Sequence, residues 1–109
     1  MSEFHLYMAQ RLSALVMAPF VIVHICVMIY AIQGGLSAAE ILGRTQGSVF
    51  WLLFYGMFVV AVSIHAAIGL RTILGEWAGL RGGARDGVAA LVGLGLFALG
   101  VQAVWAVTA

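Results

Sequence analysis

Three uninterrupted apolar runs, at about residues 12–32, 49–74 and 88–107, leave this chain very few environments in which it can fold. Each run meets the roughly 20 residues that a helix needs to cross a hydrocarbon layer about 30 Å thick. The composition is 64% hydrophobic and 8% charged, against about 25% charged in soluble domains. Folded in water, such a chain would expose a large apolar surface. The expectation is therefore an all-α integral membrane protein of three transmembrane helices, a single domain over residues 1–109. The first run exceeds the 7–15 residue core of a secretory leader and follows Glu3 rather than a basic segment, so it reads as a retained span.

The five basic residues are all arginines, and their placement sets an orientation. Arg11 precedes the first span, and Arg71, Arg81 and Arg85 cluster at and after the second. Arg44 alone occupies the first loop. The positive-inside rule then puts the N-terminus and second loop in the cytoplasm, and the first loop and C-terminus outside. A formal net charge of +1 gives no footprint for nucleic acid. Cys26 is the single cysteine, so there is no internal disulfide, and the absence of any Cys-x-x-Cys-His motif excludes a c-type haem attachment.

Between spans, Gln33-Gly34-Gly35 ends the first helix, and Ser37-Ala38-Ala39-Glu40 starts a short interfacial one as a capping box. The glycine-rich stretch from Gly75 to Gly87 reads as a compact turn. In the third run Ala89, Gly93, Gly100 and Ala103 form the small-residue stripe that lets membrane helices approach closely. Gln102 on the same helix suits an interhelical hydrogen bond. Trp51 and Trp105 read as interfacial belt residues. Glu3 and His5 precede the membrane and are expected to face water or a peripheral subunit.

Chemistry concentrates at the end of the second run. An ionisable group inside a membrane is a functional-site hypothesis by default, and His65 and Arg71 both fall there. His65, Gly69, Thr72 and Glu76 lie at i, i+4, i+7 and i+11, on one line down a helix. A row of imidazole, small residue and membrane-edge carboxylate suits a flat macrocycle with a polar ligand site near the surface. Haem iron takes a neutral imidazole as axial ligand. Ala61, Ala66 and Gly69 offer small neighbours, and Arg71, about 9 Å along the helix, is a cation for a propionate. A core histidine bonded to a neighbouring helix is the competing reading of His65.

On the first helix Ser13, Met17, Phe20 and His24 share a face. Tyr7, one turn before Arg11, reads as a pocket-mouth phenol or an interfacial anchor. Pro19 frees the carbonyl of Leu15 and is expected to kink the helix. Helix-rise counting puts His24 about 4–11 Å nearer the outer face than His65, which disfavours their sharing one haem. His24 is read as a ligand to a second haem, or as a hydrogen bonder to a propionate or another helix.

Gln10-Arg11-Leu12-Ser13-Ala14 and Ile64-His65-Ala66-Ala67-Ile68-Gly69-Leu70-Arg71, closing on Glu76-Trp77, resemble the membrane-anchor cytochrome b subunits of succinate dehydrogenase and the related fumarate reductases. The resemblance covers nearly the whole chain. It implies an anchor in the cell inner (cytoplasmic) membrane that passes electrons between an iron–sulfur subunit and the quinone pool. The implied partners are a second membrane-anchor subunit completing the helix bundle, the iron–sulfur subunit and a flavoprotein subunit. The implied cofactor is haem b, one or two, shared with the partner anchor. His65 takes the place of the family's axial ligand. His24 with His65 resembles the pattern of two-haem members. Arg11 and Ser13 match the family's quinone pocket, with Glu76-Trp77 where the family has Asp-Tyr. The carboxylate is kept, while an indole that donates but cannot accept replaces the phenol. A haem-b anchor of another quinone-linked dehydrogenase, or a haem-free structural anchor, are the alternatives.

Overall fold

The computed structural model describes residues 2–109 and arranges them in four helices, with no strand among the described residues. They are α1 (Glu3–Gly34), α2 (Ala38–Thr45), α3 (Val49–Glu76) and α4 (Gly82–Thr108). The three long helices are each apolar and long enough to cross a membrane. The molecule measures 47 × 23 × 22 Å, and its long axis matches a bilayer with headgroups, about 40–45 Å.

Serines start three of the helices. Ser2, Ser37 and Ser48 have extended backbones, and their hydroxyls accept the N–H groups of His5, Glu40 and Trp51. Each such cap is worth about 1 kcal/mol. α1 stops at Gly34, and Gly35 leaves it with φ of 104°, a conformation glycine adopts without steric cost. The helix runs unbroken through Pro19.

The second loop is shorter than its glycines suggest. Only residues 77–81 separate α3 from α4, and Gly83 and Gly87 are helical. Glycine in a helix costs about 1 kcal/mol relative to alanine. Here an ion pair on the second turn, between Asp86 and Arg71 of α3, holds the segment helical.

α3 is the central helix and packs on both α1 and α4. Against α4 the approach depends on missing side chains. A Cβ placed on Gly93 would lie 2.8 Å from the Ala67 Cβ, and one on Gly100 would lie 2.5 Å from a Val59 methyl. Ala89 and Gly93 of the expected stripe are buried, Gly100 is half-buried, and Ala103 is exposed. Against α1 the contact is aromatic, with Phe20 4.8 Å from Phe54 and 6.1 Å from Phe58 between ring centroids. Gln102 is exposed rather than turned into this packing.

Polar side chains within the helices mostly close on their own backbones. Ser63, Thr72 and Thr108 donate to the carbonyls of Val59, Ile68 and Val104, as a medium without water requires. The first loop closes the carbonyl end of α4. Thr45 Oγ1 donates to the Val107 carbonyl at 2.6 Å, the Gly47 N–H to that of Thr108 at 2.8 Å and Gln46 Nε2 to that of Ala109 at 3.1 Å.

Among the described residues the buried apolar ones are Ala31, Ala61, Ala89 and Val104, all small. Large side chains such as Leu15, Ile22, Leu91 and Leu99 are more than 60% exposed. With α1 and α4 packed on α3, these faces are left for lipid or for other chains.

Candidate functional site

His65 lies half-buried on the α1-facing side of α3. Its Nδ1 is 3.4 Å from Ser13 Oγ, the contact that brings the middle of α1 to this level of α3. Ser13 is buried, and its hydroxyl donates to the Gln10 carbonyl at 2.9 Å. Among the described residues Nε2 of His65 makes no hydrogen bond within the chain. One turn along, a Cβ on Gly69 would meet Gln10 Nε2 at 3.5 Å, so the Gln10 amide lies against Gly69. Gln10 Oε1 is buried without a hydrogen-bond partner. Ser13, Ala61 and Ile64 border an open apolar groove of about 660 Å³ walled by α1, α3 and α4. His65 itself does not line this groove; what suits it to ligating haem is a half-buried imidazole whose Nε2 has no hydrogen-bond partner among the described residues. Of the small neighbours expected for a macrocycle, Ala61 faces this groove, whereas Gly69 serves the approach of α1.

His24 sits deeper on the same face of α1. Its ring meets Tyr55 and Phe58 edge-on, at 5.9 and 5.6 Å between centroids. Its Nδ1 is buried with no partner. It lines a second cavity, of about 440 Å³, with Tyr55, Phe58 and residues of α2 and α4. His24 is eleven residues from Ser13 and packs on a residue seven from His65, so the two imidazoles differ in depth by about 10–16 Å. The gap lies at or above the upper end of the range expected from the sequence, which argues against one iron shared between them.

The end bearing Glu3 is polar. Arg71 Nη2 lies 2.9 Å from Glu3 Oε1, and its Nε lies 2.9 Å from Asp86 Oδ1, which also receives Arg85 Nε at 3.0 Å. The expected propionate partner is thus engaged by two carboxylates of its own chain. Glu3, expected to face water or a peripheral subunit, is exposed and in addition ties the start of α1 to α3. A cleft of about 540 Å³ opens here, lined by Glu3, Arg71, Thr72, Glu76, Arg81 and Arg85 among others. Glu76 is exposed in it, and Trp77, 85% exposed, projects from the end of α3.

Arg11 does not join this cleft. It is exposed, its Nη1 donates to the Tyr7 hydroxyl at 3.2 Å, and its guanidinium carbon lies 5.7 Å from the centre of that ring. With Ser13 level with His65, helix rise puts Arg11 at least about 13 Å from Glu76 along the bundle axis. The four residues assigned to one quinone pocket therefore fall in three places. Ser13 is between α1 and α3, Arg11 is on the outer face of α1, and Glu76 and Trp77 are at the polar end.

Gln10, Tyr7, Asp86 and Tyr55 carry these arrangements without having been central to the sequence reading. Gln10 stands three residues before Ser13 and so shares its face, the signal that placed it within reach. Asp86 is the acidic residue nearest the third span, opposite in sign to the arginines around it.

An integral membrane protein with three spans and imidazoles held between its helices is what this fold and site define. Residues 2–107 match the family model of the succinate dehydrogenase/fumarate reductase transmembrane subunit, and the chain belongs to that family. Among curated proteins and among solved structures nothing matches the chain. Membership makes it a membrane subunit of complexes that contain other subunits.

Proposed function

We propose that the chain is a haem-b-bearing anchor of a succinate dehydrogenase or fumarate reductase complex, and that it forms part of the quinone site. The observation that carries this reading is His65, an imidazole within a span whose Nδ1 faces Ser13 and whose Nε2 is free. Family membership supplies the redox setting. The other axial ligand would come from a second anchor, which would also cover part of the exposed apolar surface. His24, at a different depth, serves a separate group: an outer haem, or a hydrogen-bond partner on another chain. Bound haem supplies a one-electron carrier.

For the quinone, Arg11 and Tyr7 are the pair we favour. The Tyr7 oxygen receives the Arg11 N–H, so the phenol's own proton is free for a quinone oxygen. The fixed guanidinium stabilises negative charge as it develops there. Glu76, open to water in the polar cleft, exchanges protons at the membrane face, and Trp77 can donate only. Arg71 closes α1, α3 and α4 together at this end. With the anchor in the cell inner membrane, an iron–sulfur subunit would dock on this face, cytoplasmic by the distribution of arginines, and the flavoprotein would lie beyond it, outside the membrane.

The absorption spectrum of the purified complex tests the reading. A bis-imidazole haem b gives a sharp α-band on reduction, and its absence would leave only a haem-free anchor. Haem counted per flavin then decides His24. Two haems support ligation by His24, and one leaves it the hydrogen-bonding role.

A further inference from the structure

A serine hydroxyl has one proton to give. In Ser13 that proton goes to the Gln10 carbonyl, an acceptor only, at 2.9 Å. What Ser13 Oγ turns toward His65 Nδ1, 3.4 Å away, is therefore a lone pair. An imidazole whose Nδ1 faces an acceptor carries its proton there and leaves Nε2 with its lone pair exposed. The opposite tautomer would set two lone pairs against each other, unless the hydroxyl gave up its 2.9 Å bond to the Gln10 carbonyl for a longer one of 3.4 Å to Nδ1. Ser13 is 7% exposed, so water is poorly placed to relieve that contact.

Other hydroxyls along these helices, those of Ser63, Thr72 and Thr108, also donate to a carbonyl one turn back. Ser13 differs in that its oxygen also meets a side chain on another helix. The arrangement is braced from α1, because the Gln10 whose carbonyl holds the hydroxyl also lays its amide against Gly69, one turn from His65.

We infer that Ser13 is a positioning residue for the haem ligand: it fixes the Nδ1–H tautomer and ring orientation of His65 and so presents Nε2 to iron. The inference rests on the reading of His65 as a ligand, and it withdraws Ser13 from the quinone pocket. Ligating histidines generally donate their second N–H, and that bond raises the basicity of the ligating nitrogen. A more basic ligand favours ferric over ferrous iron, so loss of the acceptor moves the potential upward.

The test uses the full complex with Ser13→Ala, Ser13→Cys, Ser13→Thr and His65→Leu, read by haem content, redox titration and ferric electron paramagnetic resonance. Ser13→Ala should keep its haem and shift the reduction equilibrium at least about threefold toward ferrous, about 30 mV at 59 mV per tenfold, with altered g-values. Ser13→Cys, close in size but a weak acceptor, should shift the same way, and Ser13→Thr should restore wild-type values. If Ser13→Ala binds haem with unchanged potential and g-values while His65→Leu loses it, this inference alone fails. Equal shifts in Ser13→Ala and Ser13→Thr would reduce the role to packing and overturn it too. Full haem retention in His65→Leu overturns the ligand reading beneath it.

Discussion

Arg11 and Ser13 are two positions apart on one helix, hence about 200° apart around its axis, and they do different work. Ser13 is buried against α3, while Arg11 is exposed beside Tyr7. The family resemblance assigned both to one pocket, although the numbering alone already puts them on different faces. The Ser13–Met17–Phe20–His24 face was legible because helical spacing alone defines it, and all four residues turn toward α3 or are at least half-buried. The engagement of Arg71 by Glu3 and Asp86 was not legible, because it joins residues 68 and 15 positions apart. If Arg11 is the quinone's cation, Arg11→Ala lowers succinate:quinone activity at least about tenfold, on the order of 1.4 kcal/mol in barrier. Succinate oxidation with an acceptor served by the peripheral subunits should persist. Parallel loss of both activities would mean failed assembly, and unchanged quinone reduction would put the site elsewhere.

Among the elements, the three spans were legible from hydrophobic run length, whereas the true ends of the helices were not. α1 begins nine residues before the apolar run and α4 six before it, by the difference between their bounds and the expected spans. Polar and glycine-rich turns carry no hydrophobic signal. They stay helical here through the Ser2 cap and the Arg71 ion pairs. The α3–α4 contact makes a sign-specific prediction. Gly100→Ala should destabilise the complex by about 1–3 kcal/mol through overpacking against Val59. Gly95→Ala, with nothing within 4 Å of its Cβ, should be neutral or stabilising. Thermal denaturation of the intact complex compares them, and equal effects would mean that the Gly100–Val59 approach does not limit packing.

At the scale of the whole molecule, the two ends of the bundle are unlike. One gathers Arg71, Arg81 and Arg85 with Glu3, Glu76 and Asp86, and the other has the first loop closed on the end of α4. If the arginine-rich end is cytoplasmic, an impermeant maleimide on intact cells should label Leu36→Cys and not Ala78→Cys, both in a Cys26→Ser background. Both positions are exposed, and the reverse pattern would invert the molecule. Under the proposed function, the orientation would also decide which end an iron–sulfur subunit meets, and so how far an electron would travel to His65. The central claim is that this imidazole holds iron. Its most direct measurement is haem per flavin, by pyridine haemochrome, in the purified complex with and without His65→Leu. The account predicts the loss of one haem b from a variant that still inserts and assembles, and an undiminished haem count in that variant would contradict it.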